Sequence, residues 1–298
     1  MTANAPASPT FQTPASTSAN AVNAASSVIP RPTGLRIQGR QTILRSVRSE
    51  WIKFWTLRST WITSFIAIAL TVLFGAGLTA AFGRSEHYQD TAKNMITSGL
   101  TFGQVVVAVL GALIITGEYS SGQIRSSLAA VPKRGQLLVS KAVVLAIVSF
   151  LLGSVSVFLS WAISKPFIGE HAGSLTDSHY AGHIWGSGLV FAAIALMALG
   201  IGFLLRSTAG TITVIVSLLF IITTPLQLAA GKWEWIYKII GCLPSTVSEA
   251  VSDPFQRTTE WGGQGAQFLT HGQAIAVFAA WALIPLIVAW FVFSRRDA

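Results

Sequence analysis

A chain of 298 residues with 52% hydrophobic and 10% charged side chains has too little polar material to cover a water-facing surface, since soluble globular chains carry roughly 25% charged residues. Its net charge of +9 does not indicate nucleic acid, because the basic residues fall in short stretches beside apolar runs rather than on a soluble basic face. The single cysteine, Cys242, excludes an internal disulfide and, with no Cys or His at zinc spacing nearby, reads as a packing residue.

The first 30 residues carry no charge and are rich in Ala, Ser, Thr, Asn and Pro. They cannot bury a core, and residues 1–40 read as a disordered tail ahead of a membrane domain over 41–298. The tail lacks the basic start and compact apolar region of a secretory signal, so it is expected to stay on the chain.

Residues 43–57, ILRSVRSEWIKFWTL, change character. Leu44, Val47, Trp51, Phe54 and Trp55 recur at helical spacing on one face, with Arg45, Arg48, Ser49, Glu50 and Lys53 off it. A basic amphipathic helix with tryptophans on its apolar stripe suits a membrane surface.

Six apolar runs follow, near 61–82, 98–116, 142–164, 184–205, 209–230 and 272–293. Each is long enough for a helix to cross about 30 Å of hydrocarbon. Helices are expected because lipid offers no partner to an open strand edge. Ionisable residues are absent from these runs, with Lys141 and His183 just outside two boundaries. If the N-terminus is cytoplasmic, fourteen of the 20 Lys and Arg residues fall on the inside and six outside. That bias places both termini in the cytoplasm.

Between the second and third runs lies GEYSSGQIRSSLAAVPKRGQ, Gly117 to Gln136. As one short helix over 117–130, it puts Glu118, Gly122 and Arg125 on one face and Ile124 and Leu128 on another. Pro132 ends it, and Lys133, Arg134 and Lys141 hold the next span to the inner surface. Such a charged knob on two span ends is a handle for a soluble motor; taken on its residues alone, it also reads as a plain polar loop between spans.

The long segment 231–271 starts apolar and aromatic, then breaks at Leu243-Pro244, where Ser245 can cap a short helix. Two short helices dipping back into the membrane fit it, as does a folded external loop.

The spans hold no buried charge of the kind that ion-coupled transport uses. No GxxxxGKS/T stretch is present to cradle nucleotide phosphates. His171, Asp177, His179 and His183 are the best candidates for enzyme or metal chemistry. His179 and His183 sit at i, i+4, but Tyr180-Ala181-Gly182 does not favour a helix between them. They read as loop histidines, with no catalytic or metal residue assigned. Among polar residues inside the spans, Gln104 and Gln227 stand out: they line a passage or join two helices.

Three stretches resemble the permease subunits of type-2 ATP-binding-cassette (ABC-2) transporters, of the separate-chain kind found in high-GC Gram-positive bacteria. They are LRSVRSEWIKFWTLRSTW (Leu44 to Trp61), GEYSSGQIRSSLAAVPKRGQLLVSKA (Gly117 to Ala142) and CLPSTVSEAV (Cys242 to Val251). The resemblance covers residues 41–298. It implies an all-α membrane protein with six spans, an N-terminal interfacial helix, a cytoplasmic coupling helix and short re-entrant helices before the last span. It also implies a bacterial plasma-membrane exporter made of two permease chains and two ATPase subunits, with ATP and Mg on the ATPase and no cofactor on this chain. Glu118, Tyr119, Gly122 and Arg125 would lie in the helix that docks on the ATPase, and spans two and five would line the path. A membrane scaffold or sensor subunit that moves nothing is the rival reading.

Overall fold

The computed structural model describes residues 42–83, 93–169, 178–253 and 269–295. The 1–40 tail, His171 and Asp177 lie outside them.

The described residues are mostly helical, with no strand among them. α1, Ile43–Thr56, is followed after one extended residue by α2, Arg58–Gly83. A 3-10 turn at Lys93–Thr97 leads into α3, Leu100–Ser120. α4, Gln123–Ala130, is short, and α5, Arg134–Ile168, is the longest helix. α6 is Ser178–Leu205 and α7 is Thr208–Val216. A π-helix at Ser217–Ile221 joins α7 to α8, Thr223–Ala230. Two short helices, α9 (Trp235–Gly241) and α10 (Pro244–Ser252), precede α11, His271–Arg295.

Six stretches of helix are long and apolar enough to span a membrane: 58–83, 95–120, 134–168, 181–205, 208–230 and 271–295. The third begins at Arg134, so Lys141 lies two turns inside it. α6 forms the centre of the bundle, packed along α3, α5 and α11. Close approach depends on small residues: a Cβ on Gly200 would come within 2.7 Å of the α11 backbone at Pro285 and Leu286.

The fifth span is the least covered by its own chain. Its π-turn has a local cause. Pro225 has no N–H and crowds the Ile221 carbonyl one turn back. The chain widens there, with Ile222 N–H bonding Ser217 O at 2.9 Å.

Helix caps differ from expectation at α10. Pro244 occupies the first turn and Leu243 is the N-cap, without a side-chain bond. Ser245 instead meets Thr223 of α8, hydroxyl to hydroxyl at 3.1 Å. The expected pair of short helices around Leu243-Pro244 is present as α9 and α10. At α6 the structure corrects the sequence reading: Tyr180, Ala181 and Gly182 are helical. His183, held to Ser252 O, and Ile184, packed on the core, fix the backbone just beyond them, and this packing outweighs the local cost of Gly182.

Candidate functional site

α3 stops at Ser120 because the next turn reverses. Gly122 has φ +72°, a left-handed conformation that suits a residue without Cβ. A Cβ there would meet nothing within 4 Å, so conformation rather than crowding calls for glycine. α4 then starts in a new direction. The single helix expected over 117–130 is therefore two helices, and Glu118, Gly122 and Arg125 do not share a face. Glu118 belongs to α3 and points inward, whereas Gly122 and Arg125 are exposed. On α4, Ile124 is buried and Leu128 packs against the core, anchoring the short helix under the bundle.

Glu118 is 3% exposed and meets two lysines. Lys141 Nζ of α5 donates to its Oε1 at 2.5 Å, and Lys53 Nζ of α1 donates to the same oxygen. Lys141 also donates to Glu50 Oε2 at 2.8 Å. Four charges thus alternate, Lys53, Glu118, Lys141, Glu50, and sum to zero. Lysine is almost never fully buried unless paired, and the side chain of Lys141 has no exposed surface. Its two carboxylates offset its desolvation. Lys141 does not anchor the span to the membrane surface, as its place beside the apolar run implied; it locks three helices together.

Glu50 and Lys53 are three residues apart on α1 and so share a face. The sequence pattern places both off the apolar stripe. α1 lies between bundle and surroundings and is covered on two sides. Val47 and Trp51 pack against the core and Phe54 is buried, while Leu44 is 77% and Trp55 44% exposed. The apolar stripe therefore divides between protein and surroundings. Gln136 Nε2 donates to Ser46 Oγ at 2.8 Å, adding a neutral tie from α5 to α1. A pocket of about 200 Å³ lies against the four charges, walled by Phe54, Leu57 and Val144.

Tyr119 is half-buried, and the Arg206 guanidinium lies 5.0 Å from its ring centroid. One turn earlier, Thr116 and Thr208 share a 2.6 Å hydroxyl contact. Both link the end of α3 to the turn between α6 and α7.

Gln104 lies 14 residues before Glu118 on the same helix, about 21 Å away along its axis. It is buried and lines a cleft at that end of the bundle. Gln227 is exposed on α8 and does not line this cleft. The structure does not bring the two amides together. His183 is fully buried near the same end, with Nδ1 2.9 Å from Ser252 O, so it helps seat α10 rather than lying in a loop.

An all-helical bundle with six membrane-length apolar helices defines a multi-pass membrane protein. Residues 46–224 match the family model described as ABC-2 family transporter protein, and the chain belongs to that family. It is accordingly the membrane-spanning permease of an ABC transporter, a class that works with a separate ABC ATPase subunit. No curated protein matches the chain.

Proposed function

We propose that this permease is an exporter of the bacterial plasma membrane, with both termini cytoplasmic. Its path forms with a second permease chain, identical or sister, and ATP hydrolysis with Mg on the ATPase subunit drives it. α4 is the docking element. Arg125 and Gly122 present an exposed surface to the ATPase, and Tyr119 ties the root of α4 to the turn at Arg206. Glu118 acts from inside as a positioning residue. The observation that carries this reading is the charge network at the base of α4: a push on α4 reaches α1, α3 and α5 as one block, because buried ion pairs resist separation. α1 lies along the inner membrane surface, with Leu44 and Trp55 turned to lipid. α9 and α10 dip into the outer leaflet.

Affinity purification of the tagged chain from native membranes, with mass spectrometry of co-purifying proteins, tests the docking assignment. Wild type should bring down a soluble ATPase near one-to-one. Arg125→Glu should lose it with the unfolding temperature unchanged, because the side chain is exposed. Retention by Arg125→Glu would sink α4 as the docking surface. No ATPase with folded wild type would favour a scaffold or sensor subunit.

A further inference from the structure

The cleft at the Gln104 end has a volume of about 590 Å³. Thr101 and Gln104 of α3, Phe220 of the π-helix, Thr224 of α8, and Ser248 and Glu249 of α10 are among its walls. Its lining differs from the lipid-facing grooves elsewhere on the bundle, such as the one along Val139, Val143 and Ile287, whose walls are almost wholly apolar.

Two of these groups lack what they need. Gln104 is 5% exposed, and its Oε1 is buried with no hydrogen-bond partner. A buried carbonyl without a donor leaves its desolvation cost unrecovered, so an external donor is favoured there. Glu249 is exposed in the cleft wall and makes no ion pair among the described residues. A carboxylate and an amide carbonyl are acceptors only. The hydroxyls of Thr101, Thr224 and Ser248 either donate or accept. The unmet demand is for donors, with one positive charge.

A bare divalent cation fits poorly. No group of three or more His, Cys, Asp or Glu stands together among the described residues, and oxygen-seeking cations take six or more ligands. The volume suits an organic molecule. The π-turn points the same way, since such turns recur at functional sites.

We propose that this cleft binds a solute carrying a primary ammonium beside hydroxyl groups, with Glu249 taking the charge and Gln104 Oε1 accepting an N–H or O–H. Calling the occupant a transported solute rests on the permease reading; the binding does not. Phe220 and the neighbouring Leu219 supply an apolar wall for the carbon skeleton. Glu249 is then a specificity residue.

The test uses the full chain in nanodiscs of phosphatidylglycerol and phosphatidylcholine, which carry no primary ammonium. Two probes share one skeleton: a fluorescent glucosamine trimer, and the same trimer N-acetylated. Anisotropy should show the amine trimer binding about tenfold tighter, the size of one charge-assisted hydrogen bond. Glu249→Gln should bring the two probes level. Gln104→Leu should weaken both without lowering the unfolding temperature, because it removes an unsatisfied buried carbonyl. Equal binding of both probes by wild type would overturn the proposal, as would an undiminished amine preference in Glu249→Gln. Adding phosphatidylethanolamine to the discs separates two sources of the ammonium. Competition assigns the site to a lipid headgroup and its absence to a free solute, and either result supports the ammonium class. Co-purification of an ATPase without amine preference would sink this inference alone; amine preference without an ATPase would sink the transport reading alone.

Discussion

Lys141 of α5 and Glu118 of α3 meet at 2.5 Å inside the bundle, with 0% and 3% of their side chains exposed. They are 23 residues apart in sequence, separated by the whole of α4 and the turns on either side of it. The contact closes the base of the α3–α4–α5 hairpin. Glu50 and Lys53 extend it to α1, so α1 cannot move without the hairpin.

Removing one member of this network leaves an uncompensated buried charge. Lys141→Met should destabilise the protein by about 3–5 kcal/mol, and Glu118→Leu by a similar amount. The double variant leaves Glu50 and Lys53, which lie three residues apart on α1 and can pair with each other. It should be more stable than the sum of the singles implies. Thermal unfolding of all four proteins in one detergent gives the coupling. Strict additivity would mean that the two groups do not interact. Glu118→Arg would place three cations around Glu50, so it should fail to fold rather than report on docking.

Gly122 makes a separate prediction about the elbow. An alanine there meets no atom, so its cost is conformational, about 1–2 kcal/mol for an L-residue held left-handed. Asparagine tolerates that region better and should cost less. Hydrogen exchange at the α4 amides should rise in Gly122→Ala and change less in Gly122→Asn. Equal exchange in all three proteins would show that the turn does not depend on φ at this position.

The helices and the charge network differed in legibility for physical reasons. An apolar run of about 20 residues has little choice in lipid, so six spans could be read directly from Trp61 to Phe293. The break at Gly122 could not. A glycine inside a helical pattern costs only about 1 kcal/mol, and a continuous helix over 117–130 remained reasonable. Lys141 beside an apolar run looked like a surface anchor, because nothing local shows that Glu50 and Glu118 come to meet it. The scarcity of charge was the available signal: Glu118 is the sole carboxylate between Asp90 and Glu170, and once buried it must find cations. Gln104 was marked because an amide in a span needs partners. That Glu249 lines the same cleft is not legible locally, because it is 145 residues further along the chain.

Glu249 supplies a pH prediction. The surrounding bundle partly desolvates its carboxyl in the cleft and pushes it from the ordinary 4.5 up to about 7. Between these values the folded protein holds a proton that the unfolded chain has released. Stability from this group therefore falls as pH rises from about 4.5 through 7 and is lowest above that window. Glu249→Gln cannot ionise and should remove the fall. The group is exposed, so solvent screening reduces the effect to about 1 kcal/mol. In a chain of this size that is a rise in Tm of about 2–4 °C for the variant at pH 8. At pH 5 the two proteins should differ little. An ammonium probe in the cleft reverses the preference by favouring the ionised carboxylate. Saturating glucosamine trimer in mildly acidic buffer, where its amines are protonated, should then stabilise wild type more than Glu249→Gln. A variant that is less stable than wild type at pH 8 would mean that Glu249 has a cationic partner, which would also remove it as the group that takes a solute's charge.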